Sequence, residues 1–279
     1  MIDEQLNEQN VEMKEDKIVL DKTKGHVLDI GPGCITIELP AGYIHEDGEL
    51  HVHAVLREMK GPEEELLASK GLIVSRLNVI MGNCLEQIGS ISDKSLLRKI
   101  ACNLIAQDRM AILLALRRIS LGDFYDCTVT CPECNVSQHV TVNLSEIEIS
   151  PMPNRMEREM VNTLPSGREV KWHVIRTEDE EWLTEQRKRK RDKELLTLHL
   201  LSRVDSIDDI EVDRKNKYKE AIDLLMDLSI RDRATLRDLF DKKEDNIDTL
   251  VQFMCERCGH EWEGKLDVGQ PSFFFPSVK

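Results

Sequence analysis

The sequence predicts an α+β fold in which one plan of helices and hairpins is used twice. The first observation is a pair of Cys-x-x-Cys motifs, Cys131/Cys134 and Cys255/Cys258, whose positions differ by 124 residues (255 less 131). The second is that apolar residues fall on apolar residues at this offset, from Leu72 to Cys134 of the first half. The third is a shared order of alternating and helical segments. An internal duplication accounts for all three.

The offset extends well beyond the cysteines. At the same offset Asp232-Arg233 corresponds to Asp108-Arg109. The apolar residues of one helical face also correspond: Leu236, Leu239 and Phe240 of the second half match Ile112, Ala115 and Leu116 of the first. Further upstream the register shifts, because LPAGYIHEDGELHVHAVLR from Leu39 is six residues longer than the similar LPSGREVKWHVIR from Leu164.

Each half is predicted to start with a β-hairpin. The alternating segments CITIEL and ELHVHAVL supply the strands of the first, and EVKWHVI follows a Pro-Ser-Gly turn in the second. Helical periodicity then predicts three helices per half, at about residues 63–81, 93–106 and 109–119 and at about residues 178–204, 214–229 and 233–243. Asp108 and Asp232 stand where the third helix is expected to begin, so each is predicted to be an N-cap.

A second hairpin is predicted to close each half, with a Cys-x-x-Cys motif at its tip. FYDCTVT and QHVTVNL flank the first motif, and DTLVQFM and HEWEGKLDV flank the second. A two-residue gap at a tight turn lets two sulfurs reach one zinc ion at about 2.3 Å. Asn135 and Gly259 follow the motifs and are residue types that tolerate the left-handed backbone of such a turn.

We therefore predict one structural Zn²⁺ where the two hairpin tips meet, in a zinc-ribbon-like site. Its four thiolate ligands would be Cys131, Cys134, Cys255 and Cys258. Because four sulfurs fill the coordination shell, the site would not be catalytic. Three alternatives stay open: a redox pair, which normally precedes a helix, unmetallated turn cysteines, and replacement of one ligand by His139 or His260.

Length, charge and apolar content limit the classes of protein to which this chain can belong. A chain of 279 residues that is 41% hydrophobic should form one large or two small globular domains. Its formal net charge of −14 argues against duplex DNA or an anionic membrane as the main partner. The N-terminal MIDEQLNEQNVEMKEDK lacks the pattern of a signal peptide, and no apolar run of about 18 residues exists, so neither secretion nor a membrane span is expected.

No enzyme site is predicted. Gly31 to Gly33 has neither the spacing of a phosphate-binding loop nor a following Lys-Ser or Lys-Thr pair. Acidic runs such as EDEE at residues 178–181 are ordinary on a charged helix, and no nucleophile, base and orienting group are placed together.

Changes in composition predict five segments. Residues 1–24 form a polar N-terminal arm, residues 25–150 and 161–270 the two repeats, residues 151–160 a linker, and residues 271–279 an aromatic tail. Half of the six phenylalanines, Phe273, Phe274 and Phe275, stand together in that tail. Three adjacent aromatic residues in an extended segment cannot all point one way, so the tail is either a partner-binding anchor or a plug in the protein's own core.

Seven segments occur in a characteristic order: LREMKGPEEELLAS, AQDRMAILLALRRISLGDFYDCTVTCPEC, VTVNLSEI, LPSGREV, RDRATL, CERCGHEWEGKLDV and FFFP. Over about residues 35–276 the chain thereby resembles the baseplate hub assembly chaperone family of T-even-type tailed phages. The features of that family that can be matched to individual residues here are the two cysteine pairs and the tail from Phe273 to Pro276. The first hairpin differs in having Asn135 and Val136 where the second hairpin has the commoner Gly-His. This difference removes no metal ligand.

The resemblance implies a non-enzymatic protein of baseplate or hub assembly. Its expected partners are other phage tail and baseplate proteins, with no small-molecule substrate, and its expected location is the host bacterial cytoplasm during assembly or the baseplate of the virion tail. A zinc-ribbon regulatory or nucleic-acid adaptor protein is the alternative, because paired Cys-x-x-Cys motifs also occur there. The acidic charge favours the assembly protein.

Overall fold

Strands and helices alternate along the chain in an order that occurs twice. A computed structural model describes residues 19–20, 27–28, 33–70, 73–190, 195–244 and 247–275. The predicted N-terminal arm lies outside these residues, apart from strand β1 (Val19–Leu20), which pairs with β2 (Val27–Leu28). The α+β fold class is confirmed.

The first half places a three-stranded sheet before its helices and a separate two-stranded ribbon after them. Its elements are β3 (Cys34–Ile44), β4 (Leu50–Arg57), α1 (Gly61–Ala68), α2 (Ile73–Cys84), β5 (Leu85–Ile88), α3 (Lys94–Cys102), α4 (Ala106–Leu121), β6 (Phe124–Thr130) and β7 (Ser137–Asn143). Strand β4 lies between β3 and β5 and is antiparallel to both. The predicted single helix over 63–81 is wrong, because Ser69 leaves the helical conformation and ends α1.

The second half repeats this order. Its elements are β8 (Glu159–Thr163), β9 (Glu169–His173), α5 (Thr177–Lys190), α6 (Leu195–Leu201), β10 (Val204–Ile207), β11 (Ile210–Glu211), α7 (Tyr218–Met226), α8 (Ile230–Glu244), β12 (Leu250–Met254), β13 (Glu261–Lys265) and α9 (Pro271–Phe274). The helix predicted over 178–204 runs too far, because Val204 starts a strand that pairs with Trp172 of β9. No helix in the described part of the chain has the length and apolarity needed to cross a bilayer.

The two halves correspond closely in their later helices. Helix α3 covers residues 94–102 and α7 covers 218–226, while α4 begins at 106 and α8 at 230, so both pairs differ by 124. In the sheets, β3 and β4 are longer than β8 and β9, and the additional residues lie beyond a register shift between Glu38 and Tyr43. This repetition of order supports an internal duplication, which stays a prediction, as do the five segment boundaries.

The prediction that Asp108 and Asp232 are N-caps is wrong. Each is the third residue of its helix, and its carboxylate accepts backbone N–H groups from the preceding hairpin instead. Asp108 accepts from Ala41 at 2.7 Å and from Gly42 at 3.2 Å, and Asp232 accepts from Ser166 at 3.0 Å. The two carboxylates therefore hold equivalent Leu-Pro-x-Gly segments against helices α4 and α8, a long-range contact that helix periodicity does not reveal.

The buried apolar residues form two large clusters. The first contains the sheet and helices of the first half, together with Val268, Phe273 and Phe274 from the end of the chain. The second contains the corresponding elements of the second half, where the rings of Trp172 and Phe240 lie 4.8 Å apart. Because these last residues pack in the first cluster, the second ribbon, β12–β13, lies against the first half of the protein.

Candidate metal centre

Two antiparallel ribbons carry the Cys-x-x-Cys motifs. Strands β6 and β7 pair from Phe124 with Asn143 to Thr130 with Ser137, and β12 and β13 pair in the same way up to Met254. In each ribbon the strand ends one residue before the first cysteine of the motif. The predicted hairpins and the position of each motif at the tip are confirmed.

The ribbons alternate exposed residues with residues that pack on the first apolar cluster. Tyr125 and Cys127 of β6 contact this cluster, and so do Val251 and Phe253 of β12. Since both ribbons rest on one core, their tips are brought together by packing that does not involve the cysteines of the motifs.

Each motif forms a tight turn closed by the same two backbone hydrogen bonds. The N–H of Cys131 donates to the carbonyl of Val136 at 2.9 Å, and the N–H of Asn135 donates to the carbonyl of Cys131 at 3.0 Å. The turn at Cys255 has the same two bonds at 2.8 and 2.9 Å. Asn135 has φ 55° and Gly259 has φ 71°, so the predicted left-handed residues are confirmed.

The four sulfur atoms of the motifs lie within 4.8 Å of one another. The Sγ atoms of Cys131 and Cys258 are 3.7 Å apart, and those of Cys134 and Cys255 are 3.6 Å apart. A tetrahedral metal with bonds to sulfur of about 2.3 Å requires distances of about 3.8 Å between its ligand atoms. The donor set therefore fits a tetrahedral thiolate site of the type that holds zinc or iron.

The electrostatics of the cluster also favour a bound cation. Backbone N–H groups, first that of Cys258, donate to the sulfur of Cys255 and lower its pKa to about 6. The pKa of Cys258 is raised to about 12: a hydrogen bond from the His260 backbone lowers it, but desolvation and the neighbouring sulfurs outweigh that bond. The first thiolate of the cluster therefore forms readily, but each additional thiolate is opposed by charge repulsion. A bound divalent cation would neutralise this repulsion.

Gln138 joins the two hairpin tips. Its Nε2 donates to the carbonyl of Met254 at 2.7 Å, and its Oε1 accepts the N–H of Glu256 at 3.1 Å. The side chain is 9% exposed, so both bonds are partly shielded from water. Sequence reasoning missed this residue, because a glutamine in an alternating strand looks like an ordinary solvent-facing residue.

The two histidines near the motifs lie outside the sulfur cluster. His139 Nδ1 is 3.1 Å from the hydroxyl of Thr128 on the exposed face of the first ribbon. The ring of His260 stacks on that of Trp262 in the second ribbon, at a centroid distance of 6.2 Å and an interplanar angle of 12°. Among the described residues, the group of close metal-binding atoms contains the four cysteines and neither ring.

Residues 59–275 match the family model described as T4 bacteriophage base plate protein, which is well over half of the 279-residue chain. The chain belongs to this family. The matched region includes both ribbons and all four clustered cysteines. No curated protein and no solved structure matches the chain significantly.

The aromatic tail of this baseplate protein enters its own first core. Phe273 is 0% and Phe274 is 3% exposed, while Phe275 is half-buried. The ring of Phe273 lies 5.1 Å from that of Tyr125 on the first ribbon. Of the two roles left open by the sequence, the burial of the first two rings favours the internal plug, and partner binding by this tail stays a prediction.

Arg117 anchors the tail of the baseplate protein to helix α4. Its guanidinium donates to the carbonyls of Phe273 at 2.9 Å, Gly122 at 2.9 Å and Phe124 at 3.1 Å. The side chain is 3% exposed, and burial lowers its pKa. One buried cation thus connects the end of α4, the start of the first ribbon and the tail beyond the second ribbon.

Proposed function

We propose that this baseplate protein is a non-enzymatic assembly protein of the phage tail, a zinc-stapled chaperone or structural subunit of the baseplate hub that binds other baseplate proteins. The observation that carries the proposal is the cluster of four sulfurs at the tips of two ribbons, in a chain of the base plate family. A shell of four thiolates leaves no coordination position for water or substrate, so the metal would organise structure and perform no chemistry.

The proposed ion is one Zn²⁺ held by Cys131, Cys134, Cys255 and Cys258. The sulfur distances of 3.6 and 3.7 Å support a single tetrahedral ion shared by both ribbons. Its ligands lie 121 and 127 residues apart in the pairs that approach each other, so the ion would join the closing ribbon of one half to that of the other. Such a link stiffens the body that partners bind.

The proposed partners are other tail and baseplate proteins, which the protein would meet in the host bacterial cytoplasm during assembly. Membership of the family supports this class of partner. The acidic composition supports it as well, because a net charge of −14 opposes binding to nucleic acid.

Co-expression of the affinity-tagged protein with the baseplate proteins of its own phage tests the proposal. We expect at least one of them to co-purify in stoichiometric amount, and duplex DNA at low salt to bind weakly or not at all. Tight, salt-sensitive DNA binding without a co-purifying baseplate protein would instead favour a zinc-ribbon regulator or adaptor.

Mass spectrometry of purified virions separates the two forms of the proposal. A structural subunit is expected in the finished particle at a fixed ratio to other baseplate proteins. A chaperone is expected in infected-cell extracts in complex with its partner and to be missing from the particle.

A further inference from the structure

The connection between helices α3 and α4 is covered by an extended segment of the second half. The N–H of Ala106 donates to the carbonyl of Ile175 at 2.9 Å. In return, both the N–H and the hydroxyl of Thr177 donate to the carbonyl of Leu104, each at 2.9 Å. Residues 175–177 therefore dock in the manner of a short added β-strand.

An ion pair follows the strand-like contact. Glu180, in the first turn of α5, lies with its carboxylate 3.2 Å from the guanidinium of Arg109. Arg109 is 6% exposed, so this pair is partly shielded from water. The covering segment thus has a simple pattern: an aliphatic residue, a hydroxyl residue two positions later, and a glutamate three positions after that, where a helix begins.

The second half has the corresponding connection between α7 and α8, and none of the described residues covers it in the same way. At the offset of 124, the corresponding residues are Leu228 for Leu104, Ile230 for Ala106 and Arg233 for Arg109. Ala106 is 8% exposed, whereas Ile230 is 85% exposed. Met226 is 59% exposed, but its counterpart Cys102 in the covered first half is exposed as well. In the described part of the chain, no segment makes backbone bonds to Leu228 and Ile230 like those that the first half receives.

The uncovered connection also has a cationic group that pairs with no carboxylate in the part of the chain that the structure describes. Arg233 donates to the carbonyl of Leu225 and to the hydroxyl of Thr197, and it forms no ion pair with any carboxylate of the described residues. Partial burial and the charge of nearby Arg237 lower the pKa of Arg233.

We propose that Leu228, Ile230 and Arg233 form a docking site for a segment of another protein with the pattern aliphatic-x-Ser/Thr-x-x-Glu at the start of a helix. The aliphatic residue would cover Ile230, the hydroxyl would bond the carbonyl of Leu228, and the glutamate would pair with Arg233. The source of the segment, another baseplate protein, rests on the proposed function; its chemistry follows from the way the first half is covered.

A synthetic peptide tests the site without knowledge of the natural partner. The probe is VIRTEDEEWL, residues 174–183 of this chain, carrying a fluorophore and titrated with the full-length protein. In the first half the equivalent surface is already covered, so we expect saturable binding at one site. The change Glu180→Lys in the peptide should weaken binding at least tenfold.

The matched protein variants are Ile230→Asp and Leu250→Asp. Both side chains are largely exposed, 85% and 54%, so neither variant should unfold, which thermal melting would verify. Leu250 lies beyond the opposite end of α8. We expect Ile230→Asp to weaken peptide binding at least tenfold and Leu250→Asp to leave it unchanged. No binding of the peptide, or equal binding by both variants, would overturn the proposal.

Co-purification separates this inference from the proposed function. If baseplate proteins bind wild type and Ile230→Asp equally well, the docking site is refuted and the assembly function is retained. If the peptide binds as expected but no baseplate protein co-purifies, the site is retained and the assembly function is refuted.

Discussion

Removing the second cysteine pair is the most direct test of a metal shared by the two ribbons. Cys134 and Cys255 approach to 3.6 Å although 121 residues separate them. For a cross-link that closes a loop of this length, the chain-entropy relation gives about 5 kcal/mol at 25 °C. We therefore expect the double variant Cys255→Ser with Cys258→Ser to lose about 5 kcal/mol in free energy of unfolding, which corresponds to a fall in melting temperature of about 10 to 20 °C.

Two assays measure the expected losses of zinc and of free energy of unfolding. Metal analysis of wild type is expected to find about one zinc per chain and that of the double variant close to none. Urea unfolding measures the free energy, and treatment of wild type with a strong chelator should reproduce most of the effect of the substitutions. Cys127→Ser is the matched control, since Cys127 is a half-buried thiol of the first ribbon outside the sulfur cluster. This control should retain its zinc.

Three outcomes would contradict the shared site. Two zinc ions per chain would mean that each ribbon has its own metal. Zinc retained by the double variant would place the metal elsewhere. An equal loss of stability in Cys127→Ser would show that the effect comes from packing of the ribbon and not from metal binding.

Three further predictions concern Gln138, His173 and Phe273. Gln138→Ala should cost about 1 to 3 kcal/mol by urea unfolding, because it removes two partly buried hydrogen bonds between the tips, while zinc content stays at one; an unchanged free energy would contradict the bridge between the tips. Burial lowers the pKa of His173, but hydrogen bonds to Asp179 and Asp205 raise it to about 9. This stabilisation is complete below pH 6.5 and is lost as the pH rises through 9, so wild type should lose about 3 kcal/mol in free energy of unfolding over that range. His173→Gln should lose this dependence, and a persistent slope would assign it to another group. Phe273→Ala should cost about 3 to 5 kcal/mol in urea unfolding, because the ring is fully buried; a cost below about 1 kcal/mol would favour a tail that binds a partner.

The hairpins and most helices were predictable because their signals are local. Strict alternation in FYDCTVT predicts strand β6, which spans these same residues. Helix α4 extends from Ala106 to Leu121, close to the apolar stripe that predicted it. Strands β5 and β10 were missed, since each has only four residues and adopts its conformation through pairing with β4 or β9.

The sites of long-range contact were not predictable from local patterns. Asp108 looks like a helix cap, yet its partners are Ala41 and Gly42, more than sixty residues earlier. Burial raises the pKa of its carboxyl to about 7, whereas the corresponding Asp232 has a lowered pKa: hydrogen bonds from Ser229 and Ser166 outweigh the effect of burial. Asp108 and Asp232 occupy corresponding positions in the two halves, yet their electrostatic environments differ because different tertiary contacts surround them.

Local patterns in the sequence were sufficient to place two cysteine pairs at hairpin tips, because turn chemistry and alternation act over a few residues. They were also sufficient to predict most of the elements that recur in the two halves, but not the four-residue strands β5 and β10. Tertiary packing was needed to bring both tips onto one core with four sulfurs within 4.8 Å, to join them through Gln138, and to leave the α7–α8 connection uncovered. The first two of these features depend on contacts between residues more than a hundred positions apart, whose geometry is set by packing of the whole chain.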